Sequence, residues 1–466
     1  MYSKLKDTAF LFVTGAYFFL ISSSGSAITQ EDAYQRFFHS GGVAGHFRLC
    51  PKSAFDTIVP LTQTPDNGAV TDMTISGIER YINENDIQSI DELLPRLPVH
   101  YQTNFSLVEH TRATGQSNLK YPRIILFGSD GLLMMNIGTK PDDPTYHKLD
   151  MAQLHTRTGD WEFSVLDFTP DEPVLTRNPK SCQECHGHKN ARPVWGTNLD
   201  WPGVFGDNIA EGPQGEALDD RHARVMNAIM AGKGASDRFS FLVWRDEVLR
   251  RGGKRKIAHH DFGPELLLSN IAMGSATARG AFTRLQRHPK YEVAKYGLIL
   301  AYYLKKGNAY LTPAEKSGAT TFANNLGASA FTLDALLEGL GLKPREAFSL
   351  ATLHSHEPSV TDWSLGSGDL YDLLMLQILN DLRNQDRNVS QVLDERESEA
   401  GVLDCPTTVS TIADLVDFKM VHLFYLTGYQ RYQVNRVFYP LDLEDIYDRV
   451  FLPVSTSLIN LTKSVL

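Results

Sequence analysis

Cys182-Gln183-Glu184-Cys185-His186 places two thiols three residues apart and an imidazole directly after the second. Thiols at that spacing can add across the vinyl groups of one haem, and the histidine that follows then faces the iron as its proximal ligand. This is the chemistry of a covalently attached c-type haem. The chain contains four Cys and 15 His, and random placement of so few would yield the pattern in about one such chain in a thousand. Two other chemistries use the same residue types. Cys182 and Cys185 could form a redox disulfide, or could join His186 and His188 as a zinc site. A redox CxxC opens a helix that continues, whereas Gly187 and Pro193 interrupt one here, and after Pro179 and Ser181 only one turn is expected.

The sixth position on the iron decides between electron transfer and ligand chemistry. His222, Met226 and Met230 fall on one expected helix beyond the motif, and His188, Met134, Met135, His259 and His260 are further candidates. The residue types alone assign none of them. Arg192-Pro193-Val194-Trp195 and Trp201-Pro202-Gly203-Val204-Phe205-Gly206 could wall a porphyrin, with Arg192 pairing with a propionate. Otherwise they form a small loop core. Arg250, Arg251, Lys254, Arg255 and Lys256 could dock an acidic redox partner protein or simply be solvated. His354-Ser355-His356-Glu357 and His259-His260-Asp261 are fragments of metal-site patterns without a full ligand set. No GxSxG, HExxH or phosphate-binding glycine loop is present, which removes the commonest hydrolase and nucleotide-binding readings.

Haem attachment needs an exported chain. Residues 1–27 have the order of a secretory signal, with Lys4 and Lys6, an apolar stretch from Ala9 to Ile21, and Gly25-Ser26-Ala27. They are expected to be cleaved, leaving a chain outside the cytoplasm, in a periplasm of the Gram-negative bacterial type. An uncleaved anchor is the alternative. No later stretch is apolar enough to cross a bilayer, so no integral membrane protein is expected after cleavage. In an oxidising compartment Cys50 and Cys405 are candidates for one long-range disulfide, with two buried thiols as the alternative. A net charge of -10 argues against a nucleic-acid or anionic-membrane partner.

An apolar fraction of 42% and a charged fraction of 21% are those of a globular protein. Ser89 to Glu92 has capping-box spacing for a short helix ended by Pro95. Arg123–Phe127, a turn at Gly128 to Gly131, and Leu132–Ile137 predict a hairpin, and Trp161–Val165 predicts a third strand. Beyond Pro264 the signals are helical. Pro264 and Pro289 mark starts, Gly307-Asn308 a stop and Thr312-Pro313-Ala314-Glu315 a capping box, with amphipathic runs at Asp369–Arg383 and Ile412–Leu426. The expected fold is an α+β N-terminal part with a small antiparallel sheet (28–170), a loop-rich haem segment (171–263) and a mainly α-helical C-terminal domain (264–466).

From Cys182 to Gly187 the chain resembles the haem-binding motif of the cytochrome c superfamily. That resemblance implies thioether bonds at Cys182 and Cys185 and iron ligation by His186. The chain lacks the Gly-Pro-x-Leu type element and the early motif position of small soluble cytochromes c. The longer pattern, a strand ending near Phe168 followed by Asn178-Pro179, CxxCHG, Arg-Pro-x-Trp and Trp-Pro-Gly, is similar to a group of large exported proteins of Gram-negative bacteria and to haem-containing PAS-like sensor domains. It implies a mixed domain with haem at its edge and no particular reaction. The expected function is electron transfer through one haem, with a haem-based sensor or a peroxidase-like mono-haem oxidoreductase as alternatives. Familiar di-haem peroxidases need two such motifs, and this chain has one.

Overall fold

The structure is a computed structural model. It describes residues 70–98, 101–102, 105–110, 115–128, 131–187, 205, 208–209, 216–217, 220–242, 250–251, 254–255, 276–343, 370–394 and 447–466. The expected signal segment (1–27), Cys50, Cys405, residues 188–204, His259-His260-Asp261, Pro264, 354–357 and 412–426 lie outside them.

Six antiparallel strands form a meander in sequence order: β1 (Phe105–Val108), β2 (Arg123–Leu126), β3 (Leu133–Ile137), β4 (Lys148–His155), β5 (Asp160–Asp167) and β6 (Val174–Arg177). The expected hairpin is present, with Ile124 opposite Ile137 and Leu126 opposite Met135. Its turn is framed by Gly128 and Gly131, both at positive φ (61° and 66°), where glycine carries no Cβ penalty. The third expected strand is β5, extended at both ends to Asp160 and Asp167.

Strand alternation gives the sheet two different faces. One carries Leu107, Ile124, Leu126, Met135, Ile137, Leu149, Met151 and Leu166 into a core shared with helix α1 (Ile75–Asn85), helix α2 (Ile90–Leu93), the Asp220–Met230 helix and the turn at Asp237–Phe241. The other carries Met134, Leu154, Trp161 and Phe163 into the core of the helical region. There a helix over residues 276–286 lies on the β4–β5 end of the sheet. Gly159 and Gly280 permit the contact, since a Cβ on Gly280 would fall 2.9 Å from Leu154 Cδ1.

Local signals explain the helix ends. Thr74 Oγ1 caps α1 by accepting from Gly77 N at 3.0 Å. Ser89 Oγ accepts from Glu92 N at 3.2 Å, but Glu92 reaches back to Gln88 N rather than to the cap itself. The α-helix ends at Leu93, before Pro95 as expected, and Pro95 belongs to the turn that follows. It sits in a 3-10 turn (Leu94–Arg96), where the missing N–H of proline costs nothing. The Thr312 capping box is complete, and Pro313 occupies the first helical position of Pro313–Leu326. Tyr291–Lys305 begins two residues after Pro289 and is followed by Gly307 at φ 80°. The Asp369–Arg383 expectation corresponds to Leu370–Gln385. The chain is therefore α+β, with a sheet in the N-terminal part and helices dominating the C-terminal part. No helix of the described residues is long and apolar enough to cross a membrane.

Candidate haem-attachment site

The CxxCH segment follows the edge strand β6 as a seven-residue helix, α3 (Lys180–His186). It runs for nearly two turns rather than the expected one, and Gly187, at φ 94°, ends it. Asn178 makes the transition from strand to helix. Its backbone adopts the left-handed conformation (φ 47°), which asparagine tolerates better than most residues. Its N–H donates to Phe163 O at 2.6 Å, and its Oδ1 accepts from Phe163 N at 3.1 Å. Asn178 thus completes the β5–β6 ladder with its own side chain. Its carbonyl then accepts from Gln183 Nε2 at 2.9 Å, tying the first turn of α3 to the strand end.

At about 100° per residue, backbone positions 182, 185 and 186 lie on one side of α3. Cys182 is half-buried and packs against the core of the helical region. His186, also half-buried, stacks on Phe163 with ring centroids 3.8 Å apart and planes 18° apart. Phe163 in turn stacks on Trp161 at 6.5 Å. Stacking uses the face of the imidazole, whereas iron ligation uses a nitrogen lone pair in the ring plane, so the two roles are compatible. Two cysteines and a histidine at positions on one side of a short helix are the residue types that would hold covalent haem c. Phe163 lies in the expected third strand and Asn178 in the expected Asn178-Pro179 element; their contacts with each other and with α3 are not readable from the residue pattern.

The distal candidates divide between the two faces of the sheet. Met226 and Met230 are buried in the core beneath the opposite face from Phe163, as is Met135, and Met134 shares the Phe163 face. His222 is 1% exposed; its Nε2 lies 2.9 Å from Glu109 Oε2 and its ring stacks on Phe205 at 4.1 Å. His110 and Arg221 approach the other Glu109 oxygen at 3.6 and 3.8 Å. This cluster holds the end of β1 to the Asp220–Met230 helix, and among the described residues no three His, Cys, Asp or Glu side chains form a group that could hold a metal ion. Within the basic run, Arg250–Arg251 pairs antiparallel with Lys254–Arg255.

No protein-family model, no curated protein and no solved structure matches this chain.

Proposed function

We propose that the protein is an exported, periplasmic c-type haem protein that transfers electrons through one covalently bound haem, held by thioether bonds from Cys182 and Cys185 and ligated by His186. The observation that carries this reading is the CxxCH motif on a short helix that Gly187 ends at once, joined to the sheet through Asn178. Bound haem c would supply an iron centre able to exchange one electron. Phe163 restrains the plane of the His186 imidazole through the stack. The contact of Cys182 with the helical core shields that thiol from water on one side. The basic ladder at Arg250–Arg251 and Lys254–Arg255 supports docking of an acidic redox partner protein.

A reduced-minus-oxidised spectrum of the mature protein with and without CO tests the role. Electron transfer predicts a six-coordinate, low-spin haem indifferent to CO. A spectrum altered by CO would move the assignment to a haem-based sensor or mono-haem oxidoreductase.

A further inference from the structure

The ring stack that begins at His186 leads to a basic surface. His186 lies on Phe163 and Phe163 on Trp161, and a Cβ on Gly280 would meet the indole Nε1 of Trp161 at 3.5 Å. Arg284 is one turn beyond Gly280 on the helix over residues 276–286. Its stem lies on the turn between β4 and β5, since a Cβ on Gly159 would meet Arg284 Cγ at 2.9 Å. The turn is tight, with the N–H groups of Thr158 and Gly159 both donating to His155 O, at 3.0 and 2.8 Å. Arg287 Nη1 donates to Thr158 O at 3.1 Å and Thr283 Oγ1 to Thr156 O at 3.4 Å, so the helix holds the turn on both sides of the exposed Arg157. Arg157, Arg284 and Arg287 thus share one end of the sheet.

Little in the chain neutralises them. Among the described residues none of the three forms an ion pair. Arg287 and Arg157 are exposed; Arg284 is half-buried, and its Nε is buried without a hydrogen-bond partner. Burial lowers the Arg284 pKa, against the attraction of Asp160 at the start of β5. The other nearby carboxylates are engaged. Asp381 accepts from Tyr291, Lys295 and Gln286, Glu292 from Lys295, and Glu162 from His155 and Arg177. A solvated basic face would keep every N–H in water, whereas a buried guanidinium N–H left unpaired costs stability. In a chain of net charge -10, three arginines held together in this way require a reason.

We propose that this end of the sheet docks the acidic face of an electron-transfer partner protein, whose carboxylates pair with Arg157, Arg284 and Arg287. The guanidinium fork suits carboxylates, which it can bind through two parallel hydrogen bonds. A compact patch on a negatively charged chain suits a partner whose acidic residues are clustered; a nucleic acid or anionic membrane would set its charge against the rest of the surface as well. The role of the patch rests on the haem reading, under which the stack from Trp161 through Phe163 to His186 joins the docked partner to the candidate iron ligand. The patch itself contains no residue of the haem motif.

Two measurements at low ionic strength test it. In calorimetry, the peptide hexaglutamate binds the mature chain, with or without haem, and Arg157→Glu with Arg287→Glu abolishes the heat. Lys233→Glu with Lys316→Glu makes the same change in net charge at exposed positions on other elements and leaves binding nearly unchanged. Arg284→Met keeps the stem and removes the unpartnered guanidinium, so it weakens binding while the thermal midpoint stays or rises, which separates lost docking from lost folding. In haem-loaded protein, one electron passes from iron(II) to ferricyanide, giving iron(III) and ferrocyanide. Stopped-flow absorbance should find this step several-fold slower in the arginine double variant and little changed in the lysine one, with the difference fading as salt is added. The proposal is overturned if hexaglutamate fails to bind the unaltered chain or binds both double variants alike, or if both slow ferricyanide equally. Protein that takes up no haem would overturn the electron-transfer reading instead, and the peptide measurement would still decide the docking surface.

Discussion

The imidazole of His186 lies flat on the ring of Phe163, with centroids 3.8 Å apart. One ring closes the CxxCH motif and the other belongs to the fifth strand of the sheet, so the contact ties the candidate ligand to the most extensively paired part of the fold. An aromatic pair of this kind contributes about 1 kcal/mol beyond its buried area.

Phe163→Leu is therefore expected to lower stability by about 1–2 kcal/mol in chemical denaturation, since it removes the stack and part of a buried side chain. In protein carrying haem, the same change releases the imidazole plane and broadens the low-spin electron paramagnetic resonance signal. An unchanged signal would mean that the stack does not position His186.

Asn178 separates conformation from hydrogen bonding. Asn178→Gly keeps the left-handed backbone (φ 47°) accessible and loses only the bond from Phe163 N, at a cost of about 1 kcal/mol. Asn178→Ala loses the bond and keeps a Cβ in the left-handed region without the side-chain amide that eases that conformation, for about 2 kcal/mol in total. Denaturant midpoints of the two variants give the order directly, and alanine equal to glycine would contradict it.

Arg238 is the fastener on the other face. Its buried guanidinium donates to Asp91 Oδ1 at 2.8 Å, to Gly138 O at 2.7 Å and to Tyr146 O, and it stacks on the Tyr146 ring at 3.4 Å. Arg238→Met leaves two carbonyls without their donor and is expected to cost about 3 kcal/mol or more. Asp91→Asn alters a half-exposed partner and should cost less than about 1 kcal/mol by the same measurement.

Acid sensitivity has an assigned source. For Glu162, burial pushes the pKa up, but hydrogen bonds from His155 and Arg177, the Arg177 charge and a hydrogen bond from Ser164 outweigh it and hold the carboxyl below its ordinary value. Asp143 and Asp167 are also held low, by hydrogen bonds and by Arg123 and Lys148 respectively, again against burial. A carboxylate depressed in the folded state adds stability that is present above its unfolded pKa and is lost as pH falls through the folded value. Stability should therefore begin to fall near pH 4.5, the ordinary Glu value, and continue downward. Glu162→Gln should flatten the upper part of that decline in a pH series of thermal midpoints.

How much of this was legible follows from the range of each interaction. The hairpin was legible because Gly128 and Gly131 flank its turn, and the Pro313 helix because Thr312 and Glu315 cap it locally. Strands β1, β4 and β6 were not singled out. Two of them are four residues long, and β4 mixes half-buried Asp150 and Gln153 into its apolar alternation. Helix α1 was missed although Thr74 caps it, since its first turn carries no acidic residue to strengthen the signal. The thiols and imidazole of the motif are contiguous and could be read directly. The contacts of Phe163 and Asn178 beside the motif depend on strand register, which only the folded sheet defines.

The central claim is covalent haem at Cys182 and Cys185. Its most direct test is a pyridine haemochrome spectrum of the purified mature protein, made in a periplasm equipped with haem-attachment machinery. A c-type haemochrome with one haem per chain is expected, lost in the Cys182→Ser, Cys185→Ser double variant. Protein without covalent haem, from cells that load a control cytochrome, would contradict it and leave a zinc site or a redox disulfide as the chemistry of Cys182, Cys185 and His186.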